Sequence, residues 1–357
     1  MKTRAFYVDT VRAFASLLVV VSHVFAPVCA GMNLYSRPAW WLFNLFDSVI
    51  RPSAALFIMI SGKLFLGSQR EDSYFRFVWK RYSKIFLPFF TWSMVYALYN
   101  AREQDAPLSI GQAAISFLRG PTEYHLWFMY VILGLYLLMP AMRWFIRSVP
   151  PGGVTAAIVL WMGYLAFRFL YSHGARPGAA GLLFSYGGYA VLGYALDKVE
   201  SLHKKIGWCF FLWITIVLIN AAGTYLLTLE DGGILNEKLY FGAAPLVAIQ
   251  GGLMFLLLKN INENSILYRT ECLRAWVTNL GQHSYNVYLN HALLIWLVTK
   301  GTFGFVLSHD TGPSPVIGVA VTSAVVLAAA LGLSMVLRRI PIVSKLFVIS
   351  APRANPA

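Results

Sequence analysis

Three histidines are the residues in this chain best suited to chemistry: His23 in "VRAFASLLVVVSHVFAP", His125 in "GPTEYHLWFMY" and His291 in "GQHSYNVYLNHALLIW". A neutral imidazole can take a proton from a hydroxyl near neutral pH, the step that makes an alcohol nucleophilic. All three stand in or beside long apolar runs. An ionisable group at the centre of a bilayer costs on the order of 3 kcal/mol, so each is a functional candidate by default. The same argument picks out Asp9, Arg12, Asp47, Arg51 and Lys63.

Spacing groups these residues. His23 follows Arg12 by 11 residues, which is three turns and about 16 Å of helical rise, so both lie close to one face. One helix thus offers a cationic anchor at one depth and a titratable ring at another. Asp9 and Arg12, three residues apart, share a face and are expected to pair; Asp47 and Arg51 stand at i, i+4 and do the same. Ser284, Tyr288 and His291 line one face of a later helix. Glu123 and His125 flank Tyr124 at the mouth of an apolar run, next to Trp127. The basic cluster "WKRYSKIFLPFF" holds Lys80, Arg81 and Lys84 and is either a topological flank or a phosphate site, with Pro88 expected to kink the helix. Three scattered cysteines, Cys29, Cys209 and Cys272, have no metal or disulfide spacing.

The elements that must position these groups follow from composition. Of 357 residues, 58% are hydrophobic and only 12% are charged, about half the charge usual in a soluble chain. Mean hydropathy is +0.61. These values point to an all-α polytopic membrane protein, a single transmembrane domain over 1–357. A window of about 19 residues finds ten apolar segments, at 8–29, 43–65, 80–100, 126–147, 154–172, 182–197, 208–228, 240–258, 277–299 and 315–338. The sixth is short and rich in glycine.

Lys and Arg set the orientation. Nineteen fall in the terminal segments and one alternating set of loops, six in the other set and four inside spans. The positive-inside rule then puts both termini in the cytoplasm. The net charge of +14 therefore reads as topology, and nucleic acid is not expected as a partner. Asp9, Arg12 and His23 interrupt the first apolar run, which argues for a retained span over a cleaved signal peptide.

With these blocks in place, "VDTVRAFASLLVVVSH", "ALFIMISGKLFL", "WKRYSKIFLPFF", "YHLWFMYVILGLYLLMP" and "HSYNVYLNHALLIW" together resemble the bacterial acyltransferase 3 family of integral membrane O-acyltransferases. Within it, "YHLWF" and the ten-span length are most similar to the enterobacterial common antigen O-acetyltransferase group. The resemblance implies transfer of an acetyl group from cytoplasmic acetyl-CoA, without a metal, to a hydroxyl of an envelope carbohydrate or lipid-linked sugar. It places the protein in the bacterial inner membrane. The family's essential histidine falls on His23, its arginine on Arg12, and the basic residue before the third span on Arg81 or Lys80. "SGK" departs from the family, which usually has a bulky residue after the glycine, so Lys63 is either a CoA-phosphate contact or a snorkelling side chain.

The residues supply a mechanism to match. His23 is the expected general base, with Glu123 or Tyr288 as its orienting partner. Ser284, His125 or His291 are candidate donors to the oxyanion. Asp47, Arg51, Trp127, Ser284 and Tyr288 are candidate acceptor contacts. Direct transfer and an acetyl-histidine relay both remain open. The rival reading is a proton-coupled transporter or lipid-sugar flippase with Asp9, Asp47, His23 and His291 as a relay. Against it stand the lack of a half-to-half repeat and the gathering of charges at two depths instead of a midplane site.

Overall fold

The computed structural model describes residues 6–29, 32–34, 36–69, 73–105, 108–171, 177–200, 203–261 and 265–348. Lys2, Arg4, Arg70, Arg176 and Arg353, all counted in the charge asymmetry, lie outside the described residues. The described residues contain helices and no strands: α1 Phe6–Cys29, α2 Arg37–Ile50, α3 Ser53–Leu66, α4 Tyr74–Glu103, α5 Ile110–Arg119, α6 Trp127–Ser148, α7 Gly153–Tyr171, α8 Ala179–Lys198, α9 Ile206–Glu230, α10 Pro245–Lys259, α11 Ile266–Arg269, α12 Glu271–Thr299, α13 Pro315–Arg339 and α14 Pro341–Phe347. By length and composition, seven helical runs can cross a membrane: α1, α2 with α3, α6, α7, α8, α9 and α13. The chain is a multi-pass membrane protein.

Every apolar segment falls wholly or partly on a helix, with two corrections. The segment 43–65 is two helices, because Pro52 lacks an N–H and its ring crowds the preceding turn; the chain turns at Arg51-Pro52 before α3 begins. The segment 240–258 becomes helical only at Pro245, and α10 has 15 residues. Two further segments are long enough to span but polar. Arg76, Lys80, Arg81 and Lys84 load the first half of α4, which runs unbroken through Pro88. Asn279, Gln282, His283, Ser284, Asn286, Asn290 and His291 load α12.

Small residues let the inner helices approach. A Cβ on Gly62 of α3 would land on the Ala190 carbonyl, and one on Gly193 of α8 would land on the Met59 carbonyl. Such small-residue contacts are the usual way for helices to pack in lipid, where the hydrophobic effect gives no drive toward association. The glycines of the sixth segment thus make its crossing instead of breaking its helix. On the other side of α1, a Cβ on Gly281 would stand 2.5 Å from the Asp9 carbonyl oxygen, which presses α12 against α1. The peripheral helices are sparsely packed: α7 buries only Trp161 and Leu165. Exposed residues such as Leu160, Phe167, Trp208 and Phe211 form the apolar girdle that lipid requires.

Basic residues gather at one end of this bundle. Lys63 Nζ donates to Asp197 Oδ1 at 2.7 Å and to the Tyr7 hydroxyl at 2.5 Å, and Tyr7 donates to the same carboxylate. Lys259 Nζ caps the end of α8 through the carbonyls of Asp197 and Val199, each at 2.6 Å. Arg143 Nε donates to the Phe65 carbonyl at 2.8 Å, and Arg147 to the Ser68 carbonyl at 2.9 Å. The Asp9–Arg12 ion pair expected from the sequence is not among those of the described residues; Arg12 is partly buried and its guanidinium is unpaired among them.

Candidate active site

Packing α1 on α12 brings His23 against His291. His23 Nδ1 lies 2.8 Å from His291 Nε2, and the rings are stacked with their centroids 5.0 Å apart. The protons can be placed by elimination. His291 Nδ1 sits 2.8 Å from the Tyr288 carbonyl and 3.1 Å from the Val287 carbonyl; both are acceptors, so this nitrogen carries the proton. In the neutral ring Nε2 is then the acceptor, and His23 Nδ1 must be the donor to it. His23 Nε2 is left with a free lone pair. Two carbonyls of α12 therefore fix, through His291, which nitrogen of His23 can act as a base.

His23 opens on a cavity of about 100 Å³ whose walls include Val19, Ser22, Ser53, Ala54, Phe57, His125, Trp127, Phe128 and Tyr288. His125 approaches edge-on, its centroid 4.9 Å from that of His291 and 6.1 Å from that of His23. Its backbone is held by the Tyr288 hydroxyl, which donates to the His125 carbonyl. Tyr96 reaches from α4, donating to the Leu289 carbonyl at 2.8 Å and accepting from the Leu293 amide at 3.1 Å. Tyr124 closes over His23, centroid to centroid 5.0 Å.

The structure thus collects His23, His125, His291, Trp127 and Tyr288 in one place. Other candidates stand apart from it. Glu123 accepts from Asn100 Nδ2 at 2.9 Å and from the Tyr124 amide at 3.2 Å, so it shapes the loop before α6, and the partner orienting His23 is His291. Tyr288 likewise serves His125, not His23. His291 spends its one N–H on backbone and has none for an oxyanion. Ser284 is buried two turns below His291. Asp47 pairs with Arg51, which also meets Glu237 at 3.2 Å and lies over the Tyr240 ring at 4.5 Å; the cavity walls given above include neither Asp47 nor Arg51. Arg12, Lys63, Lys80 and Arg81 belong to the basic half of the bundle. There Lys63 is neutralised by Asp197, Lys80 is exposed, and Arg81 lies over the Phe65 ring at 4.3 Å.

Sequence reading missed the cavity's contribution from α3. Ser53 and Ala54 carry no charge and no periodicity sets them apart; Pro52 was the available sign. Arg143, one of the nineteen basic residues counted toward the topology, is 8% exposed and bonded within the bundle.

A hydrogen-bonded histidine pair thus lies beside a cavity inside a helical membrane bundle. The family model described as "Acyltransferase domain" matches residues 6–339, and the chain belongs to that family, acyltransferase 3. No curated protein and no solved structure matches it.

Proposed function

We propose that this protein is a membrane O-acetyltransferase that carries an acetyl group from cytoplasmic acetyl-CoA to a hydroxyl of an envelope carbohydrate, with His23 as general base. The observation that carries the reading is the His23–His291 pair, which leaves His23 Nε2 as a proton acceptor facing the cavity. On this reading the acceptor hydroxyl gives its proton to His23 Nε2 as its oxygen bonds to the thioester carbonyl carbon. Collapse of the tetrahedral adduct breaks the C–S bond, and the His23 imidazolium returns the proton to the thiolate. The products are the O-acetyl ester and CoA.

The basic half of the bundle suits the donor. The rise of about 16 Å from Arg12 to His23 is comparable to an extended pantetheine arm, so phosphates held near Arg12, Lys80 and Arg81 put the thioester within reach of the base. Lys63, committed to Asp197, shapes that end instead of binding a phosphate. The topology proposed with it is ten spans with both termini cytoplasmic, α4, α10 and α12 completing the seven, in the bacterial inner membrane. The acceptor class follows the resemblance to the enterobacterial common antigen group.

The test is transfer of labelled acetyl from acetyl-CoA to a glycolipid fraction by purified protein in vesicles. Absence of both transfer and CoA-dependent thermal stabilisation would overturn the reading and favour a transporter. In the same assay Arg12→Ala is expected to raise the KM for acetyl-CoA about tenfold or more while kcat stays within a few fold, because a phosphate contact is made equally in ground and transition states.

A further inference from the structure

A tyrosine at the end of a membrane helix is ordinarily part of the interfacial belt, its ring turned out to the headgroups. Tyr124, in the turn before α6, is turned into the bundle instead. Its ring stands 5.0 Å from that of His23 and 5.5 Å from that of His125, centroid to centroid, yet the residue is 55% exposed. His23 beneath it is partly exposed as well. One part of the tyrosine ring therefore covers the base while the rest stays bare, and its hydroxyl has no hydrogen-bond partner among the described residues.

The neighbours hold this turn in place and add polar groups to it. Asn100 Nδ2, on α4, donates to the Thr122 carbonyl at 3.2 Å and to Glu123 Oε2 at 2.9 Å, and the Thr122 hydroxyl donates to the Ser93 carbonyl at 2.9 Å. Glu123 is partly exposed. A carboxylate offers about four lone-pair sites, of which Asn100 and the Tyr124 amide take only two. Trp127, also partly exposed, follows on the cavity wall.

A pyranose ring has the complementary chemistry: an apolar face of C–H groups and a rim of hydroxyls. The C–H face suits a bare aromatic ring, while the rim suits a phenol with a free hydroxyl and a carboxylate with lone pairs to spare. An open-chain polyol has the hydroxyls without the flat apolar face. We infer that the exposed part of the Tyr124 ring binds a pyranose ring of the acceptor and so holds one of its hydroxyls against His23. This rests on the acetyl-transfer reading. The contact is with the sugar alone; proton and acetyl group pass between hydroxyl, His23 and thioester as described above.

Two small acceptors test this on the purified full chain in vesicles with acetyl-CoA saturating: methyl β-D-glucopyranoside, a closed ring, and sorbitol, an open chain. Wild type is expected to favour the glucoside by about tenfold or more in kcat/KM. Tyr124→Ala should bring the ratio close to one by raising the KM for the glucoside about tenfold, with the KM for acetyl-CoA changed less than about twofold. Tyr124→Phe, which keeps the ring, should retain the preference to within about threefold. Equal use of the two acceptors by wild type overturns the assignment without any variant, and so does a preference that survives Tyr124→Ala. Wild type that labels the glycolipid fraction but neither small acceptor also overturns it, and leaves acetyl transfer standing. Absence of transfer to all three acceptors together with absence of stabilisation by CoA overturns the acetyl-transfer reading itself.

Discussion

His23→Ala is expected to transfer acetyl about 1000-fold more slowly than wild type while binding CoA with little change. A positioned base contributes about 10²- to 10⁴-fold, and 1000-fold corresponds to about 4 kcal/mol of transition-state stabilisation. A loss in the middle of that range is expected because His291 cannot take over: its Nε2 is turned toward His23, and its Nδ1 faces two carbonyls. His291→Ala should be milder, about 10- to 100-fold, since His23 keeps its place but loses the contact that selects its tautomer. Initial rates of label transfer, normalised to folded protein, measure both. Full activity in His23→Ala would remove the residue from the mechanism.

Gly193→Val should prevent assembly of the folded protein. The valine Cβ would coincide with the Met59 backbone, and a helix backbone cannot yield as a side chain tip can. Relief requires α3 and α8 to separate along their whole crossing, so the cost exceeds the 1–3 kcal/mol of ordinary overpacking. The expected result is a drop in monodisperse yield and a thermal transition lowered by many degrees or lost. Gly163→Ala is the control: nothing stands within 4 Å of a Cβ there, and alanine favours a helix over glycine by about 1 kcal/mol. That protein should be at least as stable as wild type. Equal stability of Gly193→Val and wild type would contradict the tight α3–α8 crossing.

The fold was legible to the extent that each span is a contiguous run of apolar residues, a local property. Where a span's register depends on one residue, the reading slipped: Pro52 divides what composition joins, and Gly242 with Pro245 delays α10. The site was partly legible because burying an imidazole in lipid is costly, which made His23, His125 and His291 conspicuous. Their mutual contact was not legible, since it depends on how α1 and α12 rotate about Gly281. Glu123 shows the converse. Two residues from His125 in sequence, its carboxylate turns to Asn100 instead, because adjacency along a loop says nothing about where a side chain points.

The shortness of α10 has a bearing on the lipid. Fifteen residues rise about 22 Å, against a hydrocarbon thickness of about 30 Å. Mismatch of this size is relieved by thinning of the surrounding leaflets or by polar chain dipping below the headgroups. The segment between α9 and α10 is tied into the bundle: Tyr240 donates to the Asn44 carbonyl, and the Gly242 carbonyl accepts from Tyr189 at 2.6 Å. With α10 as one of the proposed ten spans, water and headgroups would be drawn toward the α2–α3 turn beside the cavity. On the proposed acetyl-transfer reading, a bulky, hydrated glycan would then bring one hydroxyl to His23 while the rest of it stays in solution, with no need for sugar to cross oil.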